Sequence, residues 1–146
     1  MKKEIFILLI ALALFSCKSN KIDSLAEAAV PYLTFQSGGG FTGKYTTYSL
    51  LENGQIFSQG MDLADAKAVG SIDKDVAAQI FSNYDFLNMK DVKMEEYGNY
   101  TYTITMTNGT KSHKILWEKD MKGSEVYQMF FKNAMNSISK VVHPKD

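Results

Sequence analysis

The stretch Asn99–Trp117, NYTYTITMTNGTKSHKILW, decides how the chain is read. Tyr100, Tyr102, Ile104 and Met106 alternate with Thr101, Thr103, Thr105 and Thr107, the period of two that marks a strand with one buried face. Asn108-Gly109 then supplies the residue pair that a type I′ hairpin turn requires. That turn predicts Thr107 opposite Thr110, Met106 opposite Lys111, Ile104 opposite His113, Tyr102 opposite Ile115 and Tyr100 opposite Trp117. Large side chains thereby gather on one face. The other face carries the threonines with Ser112, Lys114 and Leu116, and is expected to be mostly polar and wet. A sheet of this kind needs a cover on its apolar side.

The cover is predicted as two helices. Asp73 can cap a helix over 73–87, with Val76, Ile80, Tyr84 and Leu87 on one face at helical spacing. A second runs from Glu125 to Val141 after a capping Ser124, with a stripe of Tyr127, Phe130, Phe131, Ala134, Ile138 and Val141. Lys132, Asn133, Asn136 and Lys140 are expected to face out. Further strands are expected over Tyr32–Gln36, Lys44–Leu51 and Gln55–Gln59, the last two joined by a two-residue turn at Asn53-Gly54. Gly60–Gly70 lacks a pattern and is expected to be a loop, and Asp91–Gly98, with Glu95 and Glu96, a charged connection. The fold class is therefore α+β, one small domain with an antiparallel sheet of about five strands, two NG hairpins among them, under two helices.

Ser37–Leu50, SGGGFTGKYTTYSL, contains G-x-x-x-x-G-K from Gly38 to Lys44, one residue short of a phosphate-binding loop. That loop works because a helix begins after the lysine, aims its N-terminus at the phosphates and offers a Ser or Thr to magnesium. Here Tyr45-Thr46-Thr47-Tyr48 follows, which favours a strand, and Tyr45 cannot replace the small hydroxyl. The stretch is predicted to be a strand-to-strand glycine turn with Phe41 at its tip, and no nucleotide or other cofactor is expected.

The two histidines, His113 and His143, have no carboxylate at ligand spacing, so no metal is expected. His113 is expected toward the core face, near Ile104. No nucleophile elbow such as G-x-S-x-G occurs, and no catalytic residues are assigned. The chain is expected not to be an enzyme.

The N-terminus carries an address. Lys2 and Lys3 precede an apolar run from Ile5 to Phe15, then Ser16 and Cys17, the single cysteine. Charge, apolar run and small residue in that order describe a secretory signal, and the run is too short for a bilayer span of about 20 residues. Leu14-Phe15-Ser16-Cys17 resembles the bacterial lipobox, which implies cleavage before Cys17 and acylation of that residue. Several acyl chains anchor stably, each buried methylene contributing about 0.8 kcal/mol. Acylation would leave no free thiol, so disulfides and cysteine metal sites are not expected. Without Lys2, Lys3 and Glu4, the totals of 16 lysines and 16 acids become 14 and 15, with no arginine, which disfavours nucleic acid as a partner.

The expected organisation is a signal peptide (1–16), a lipidated Cys17 with its tether (17–31), the domain (32–142) and a tail (143–146). Within the tether, Ser24-Leu25-Ala26-Glu27 offers a capping box for a short helix before Pro31. The Lys-Ser-Asn-Lys after Cys17 favours the periplasm-facing side of an outer membrane.

Ser37-Gly38-Gly39-Gly40-Phe41-Thr42-Gly43, the Tyr100-Thr-Tyr-Thr-Ile strand, a later strand carrying His113 and a closing helix together resemble the emfourin-type domain. Members are small bacterial inhibitors of thermolysin-like zinc proteases, with an early S-G-G-F-x-G, a central F/Y-x-Y-x-I strand and then a strand with histidine. The resemblance covers Tyr32 to Ile138. It implies a protein-binding, inhibitor-like role in which Gly39, Gly40, Phe41 and Gly43 are the motif positions and a zinc protease of the envelope is the partner class. This chain departs from the pattern by an extra glycine before Phe41, a longer Gly60–Gly70 segment and the anchor itself. A structural or assembly role in the envelope, without inhibition, is the alternative.

Overall fold

The computed structural model describes residues 21–60 and 63–144, so the leader and Cys17 lie outside the described residues. Six strands form one antiparallel sheet: β1 (Tyr32–Gly39), β2 (Lys44–Leu51), β3 (Gln55–Gln59), β4 (Lys67–Ser71), β5 (Tyr100–Asn108) and β6 (Lys111–Glu118). Their order is β4-β3-β2-β1-β5-β6, so β1 is central and paired along its whole length to β2 and β5. Two helices, α1 (Lys74–Phe86) and α2 (Glu125–Val142), cover one face. The α+β class holds, with one strand more than expected.

That strand is β4, inside the segment expected to be a loop. Lys67-Ala68-Val69-Gly70-Ser71 has no alternation because it is an exposed edge, irregular where it meets Ile56 and Phe57. Gly70 is fixed there by α2, since an added Cβ would lie 2.4 Å from the Val141 side chain.

The helix-side core is built as the alternation predicts: Leu33, Phe35, Leu50, Ile56, Ile104, Ile115 and Trp117 from the sheet, Ile80, Phe81, Tyr84, Phe130, Phe131 and Ile138 from the helices. Phe35 sits against both Phe130 and Phe131, at ring distances of 6.0 and 5.7 Å. In α1, Asp73 caps as expected by accepting from the Asp75 N–H, but Ala77 and Phe81 complete the buried stripe while Val76 is exposed. A true repeat of 3.6 favours Ala77-Ile80-Phe81-Tyr84 over the wider spacing through Val76. Ser124 precedes α2 without capping by its side chain. Its hydroxyl donates to the Met121 carbonyl and accepts from Gln128.

Both hairpins close differently from expectation. Around β5–β6 the turn residues are Gly109-Thr110, with only Gly109 at positive φ (59°), the φ pattern of a type II′ turn. The register is therefore two residues along: Met106 faces His113, Ile104 faces Ile115 and Tyr102 faces Trp117. A shift of two keeps every side chain on its predicted face. Tyr102 and Trp117 consequently stack at 5.8 Å instead of lying diagonally. His113 stays on the core side, now beside Met106. Between β2 and β3 the loop has three residues, with the Gly54 N–H donating to the Leu51 carbonyl.

The second face is less open than the threonine pattern implies. Ile22, Leu25, Ala28 and Val30 pack on Tyr32, Leu51 and Phe57 as a small separate core, so residues 22–31 are a strap on the sheet and not a free tether. The expected capped helix there is a single 3₁₀ turn, Leu25–Glu27, and Ser24 makes no side-chain cap. Farther along, Thr34 bonds Ser49 at 2.7 Å and the Gln36 amide donates to Thr47 at 3.1 Å. Met94–Glu96 pairs in parallel with β6 at Leu116, shielding that edge. At the chain's other end, His143 is not a loose tail: its Nε2 lies 3.3 Å from the Tyr48 hydroxyl.

Candidate functional site

The glycine stretch joins two strands. β1 continues through Gly38 and Gly39, which pair with Tyr45 and Lys44 on one side and with Thr101 and Tyr100 on the other. Lys44 opens β2, so no helix N-terminus follows it and the geometry of a phosphate-binding loop is absent from this stretch. Gly39 takes φ 113°, and a Cβ on it would lie 2.6 Å from the Asn99 carbonyl. Only glycine meets both demands. The Gly40 N–H donates to the same Asn99 carbonyl, and the Gly43 N–H to the Gly40 carbonyl at 3.2 Å, so Gly40–Gly43 is a closed turn tied to the start of β5.

Phe41 stands at the tip of this turn with its ring in water, more exposed (106 %) than any other large apolar side chain described. Antiparallel pairing puts three tyrosines at the same end of the sheet: Tyr45 near the start of β2, Tyr100 at the start of β5, and Tyr97 just before it. They are 56, 37 and 70 % exposed. Tyr97 falls in the segment expected to be a charged connection, and Tyr45 and Tyr100 each lie within two residues of a predicted strand end, where helices and neighbouring strands give least cover.

Behind the aromatic end, on the face away from the helices, lies a trough of about 350 Å³. Gln36, Thr101 and Thr103 form its floor, Tyr45 and Tyr97 its rim, and Lys114 its far wall. Lys114 reaches Glu95 at 2.8 Å, and the Tyr97 hydroxyl donates to the same carboxylate at 2.8 Å. The bond from Lys114 holds the Glu95 carboxyl below its usual range, the Tyr97 bond adding to it, and Glu95 in turn raises Lys114. Glu95 and Lys114 thus cancel each other's charge, and the trough is polar but close to neutral. Next to it, on the helix side, burial pushes the Tyr102 phenol up, with Tyr100 and Asp120 adding to the shift.

These residues can offer stacking surfaces and hydrogen bonds. Among the described residues no group of three or more His, Cys, Asp or Glu side chains could hold a metal. Of the four motif positions, Gly39 ends β1 while Gly40, Phe41 and Gly43 lie in the turn that follows, and Phe41 is the one among them with a side chain to present. Another groove of about 530 Å³, beside α2, mixes Tyr102, Met129, Phe131 and Met135 with the charged Glu125 and Lys132. No helix of the described residues is long and apolar enough to cross a membrane.

Neither a family model nor a curated protein matches this chain, so its functional reading rests on its own residues.

Proposed function

We propose that this protein is a lipid-anchored, non-catalytic binding module of a bacterial cell envelope that engages another protein through the glycine-turn end of its sheet. The carrying observation is Phe41, an entirely exposed ring on a turn closed by one bond within itself and one to the Asn99 carbonyl. A ring held in water contributes nothing to folding, yet burying it against a partner is worth about 1.5–3 kcal/mol. Because the turn is already ordered, little entropy is lost on docking. Tyrosines around such an anchor match the composition of interface hot spots. The lipobox-like Leu14–Cys17 supports the anchor, and the emfourin resemblance nominates a thermolysin-like zinc protease as the partner class.

The test is the residual activity of thermolysin-like zinc proteases after incubation with the purified chain. Inhibition at micromolar concentration or below, weakened at least about tenfold (1.4 kcal/mol) by Phe41→Ala, is the expected result. No inhibition at high concentration would remove the protease from the reading.

One observation favours the alternative of a structural or assembly lipoprotein. Strand β4 is an edge, with Val69 exposed and no strand on its outer side among the described residues, so it can accept an added strand. Co-purification with an envelope complex that is lost in Val69→Pro but kept in Phe41→Ala would select it.

A further inference from the structure

The strap that closes the second face also fixes where an anchor would sit. Gln55 is buried and spends its amide on the backbone of Ile22: its Oε1 accepts the Ile22 N–H at 2.9 Å and its Nε2 donates to the Ile22 carbonyl at 2.6 Å. Such a two-bond clasp satisfies both polar groups of one residue and holds the chain at a defined place. Leu25, 2 % exposed, secures the strap a turn later.

Gln55 begins β3 just after the β2–β3 loop, and Tyr32, where the strap ends, pairs with Leu51 at that same end of the sheet. The β5–β6 turn is there too, because Tyr32 also faces Thr107. The glycine turn lies at the opposite end. Between them run the seven steps of β1 from Tyr32 to Gly39, about 24 Å at 3.4 Å per residue. Five residue steps separate Cys17 from Ile22, a reach of at most about 18 Å. The leash is shorter than the strand.

Resting on the lipid-anchored reading above, we infer that the Gln55–Ile22 clasp makes the hairpin end of the sheet bilayer-proximal. It holds the aromatic end, with Phe41, Tyr45, Tyr97 and Tyr100, one strand length farther out, so that these rings meet a protein surface and not lipid. Exposed aromatic rings on an anchored domain have two possible apolar partners, the membrane and another protein, and the placement of the clasp separates them. At the hairpin end the turns carry Glu52, Asn53, Asn108, Thr110 and Lys111, polar residues with no ring to insert. The polar ladder of Thr34, Gln36, Thr47 and Ser49 gives the second face no apolar stripe to lay on lipid, and the exposed Phe86, Val126 and Met129 of the helix side belong to the last turn of α1 and the first turns of α2. The partner is then a protein whose contact surface stands clear of the headgroups by up to the length of this sheet, about 24 Å.

The experiment uses the full chain, exported and processed by a bacterial host, then reconstituted into phosphatidylethanolamine–phosphatidylglycerol vesicles. One dye is placed at Asn53→Cys and, in a second protein, at Thr42→Cys, with a headgroup-attached quencher in the vesicles. Mass spectrometry of the N-terminal peptide reports acylation of Cys17 separately. The expected result is acylated protein in which the dye at 53 is quenched several-fold more than the dye at 42. Adding Gln55→Ala should narrow that difference by freeing the strap. Equal quenching at 42 and 53 in acylated protein would overturn the orientation while leaving the anchor intact. Stronger quenching at 42 would make the aromatic end a lipid-inserting surface. An unmodified Cys17 would remove the anchored reading, and the orientation with it.

Discussion

On its helix side the sheet buries Leu33, Phe35, Leu50, Ile104 and Trp117 beneath two helices, whereas on the other side Tyr32, Leu51 and Phe57 lie under a ten-residue strap with one 3₁₀ turn. A helix satisfies its own interior backbone, so it covers apolar surface without asking anything of the sheet. A strap has no such supply. Its backbone groups must be met by the sheet's side chains, which is why a glutamine, Gln55, is buried where a hydrophobe would fill the same space. The helix side should therefore behave as the cooperative core, and the strap as a unit that opens locally at lower free energy.

Three substitutions, in descending size of effect, can break or sharpen that contrast. Phe35→Ala empties the space between Phe130 and Phe131 and should destabilise the whole domain by about 3–5 kcal/mol in urea denaturation. Leu25→Ala removes the strap's buried anchor and should cost about 2–3 kcal/mol, with accelerated hydrogen exchange confined to residues 22–31 and their neighbours Leu51 and Phe57. Equal losses spread over the whole domain would mean that the two sides form one cooperative unit. Gln55→Ala leaves the Ile22 N–H and carbonyl unmet and should cost about 1–2 kcal/mol, again read as local exchange at the strap.

The same contrast explains what was legible in the sequence. Helix-side burial is written as alternation in β5 and as a stripe in α2, and both are local patterns. The strap's cover is non-local, and its trace lay in neighbouring pairs: Tyr32-Leu33, Leu50-Leu51 and Ile56-Phe57 each place apolar residues on both faces of a strand. Continuous apolar pairs of this kind signal burial on both sides. Strand β4 left no trace because an exposed edge with Gly70 has neither period nor β-branched density beyond Val69. The hairpin register slipped by two since Asn-Gly and Gly-Thr both satisfy a two-residue turn, and local sequence does not choose between them. At the candidate site, the Gly39–Gly43 turn and Phe41 were readable from composition. The trough was not, because Lys114 and Glu95 meet only through the parallel contact of the 94–96 segment with β6.

The smallest effect tests whether even the well-covered side is fully satisfied. Tyr84 is 1 % exposed, and its hydroxyl is buried without a hydrogen-bond partner among protein groups. Burial, with Asp85 adding to it, pushes the phenol up to about 12. A folded pKa above the unfolded value of about 10 means that stability from the neutral phenol is fully present below pH 10 and is lost as pH rises through about 12. Tyr84→Phe removes the hydroxyl and keeps the ring near Phe130, so at pH 7 stability should be unchanged or raised by up to about 1 kcal/mol. Between pH 10 and 12 the variant should lose less stability than the parent chain, measured by urea midpoints across that range. A loss of more than about 1 kcal/mol at pH 7 would show that the hydroxyl is bonded after all, most simply to a buried water. The helix side would then depend, as the strap does, on one specific polar contact, and the difference between the two faces would be one of area alone.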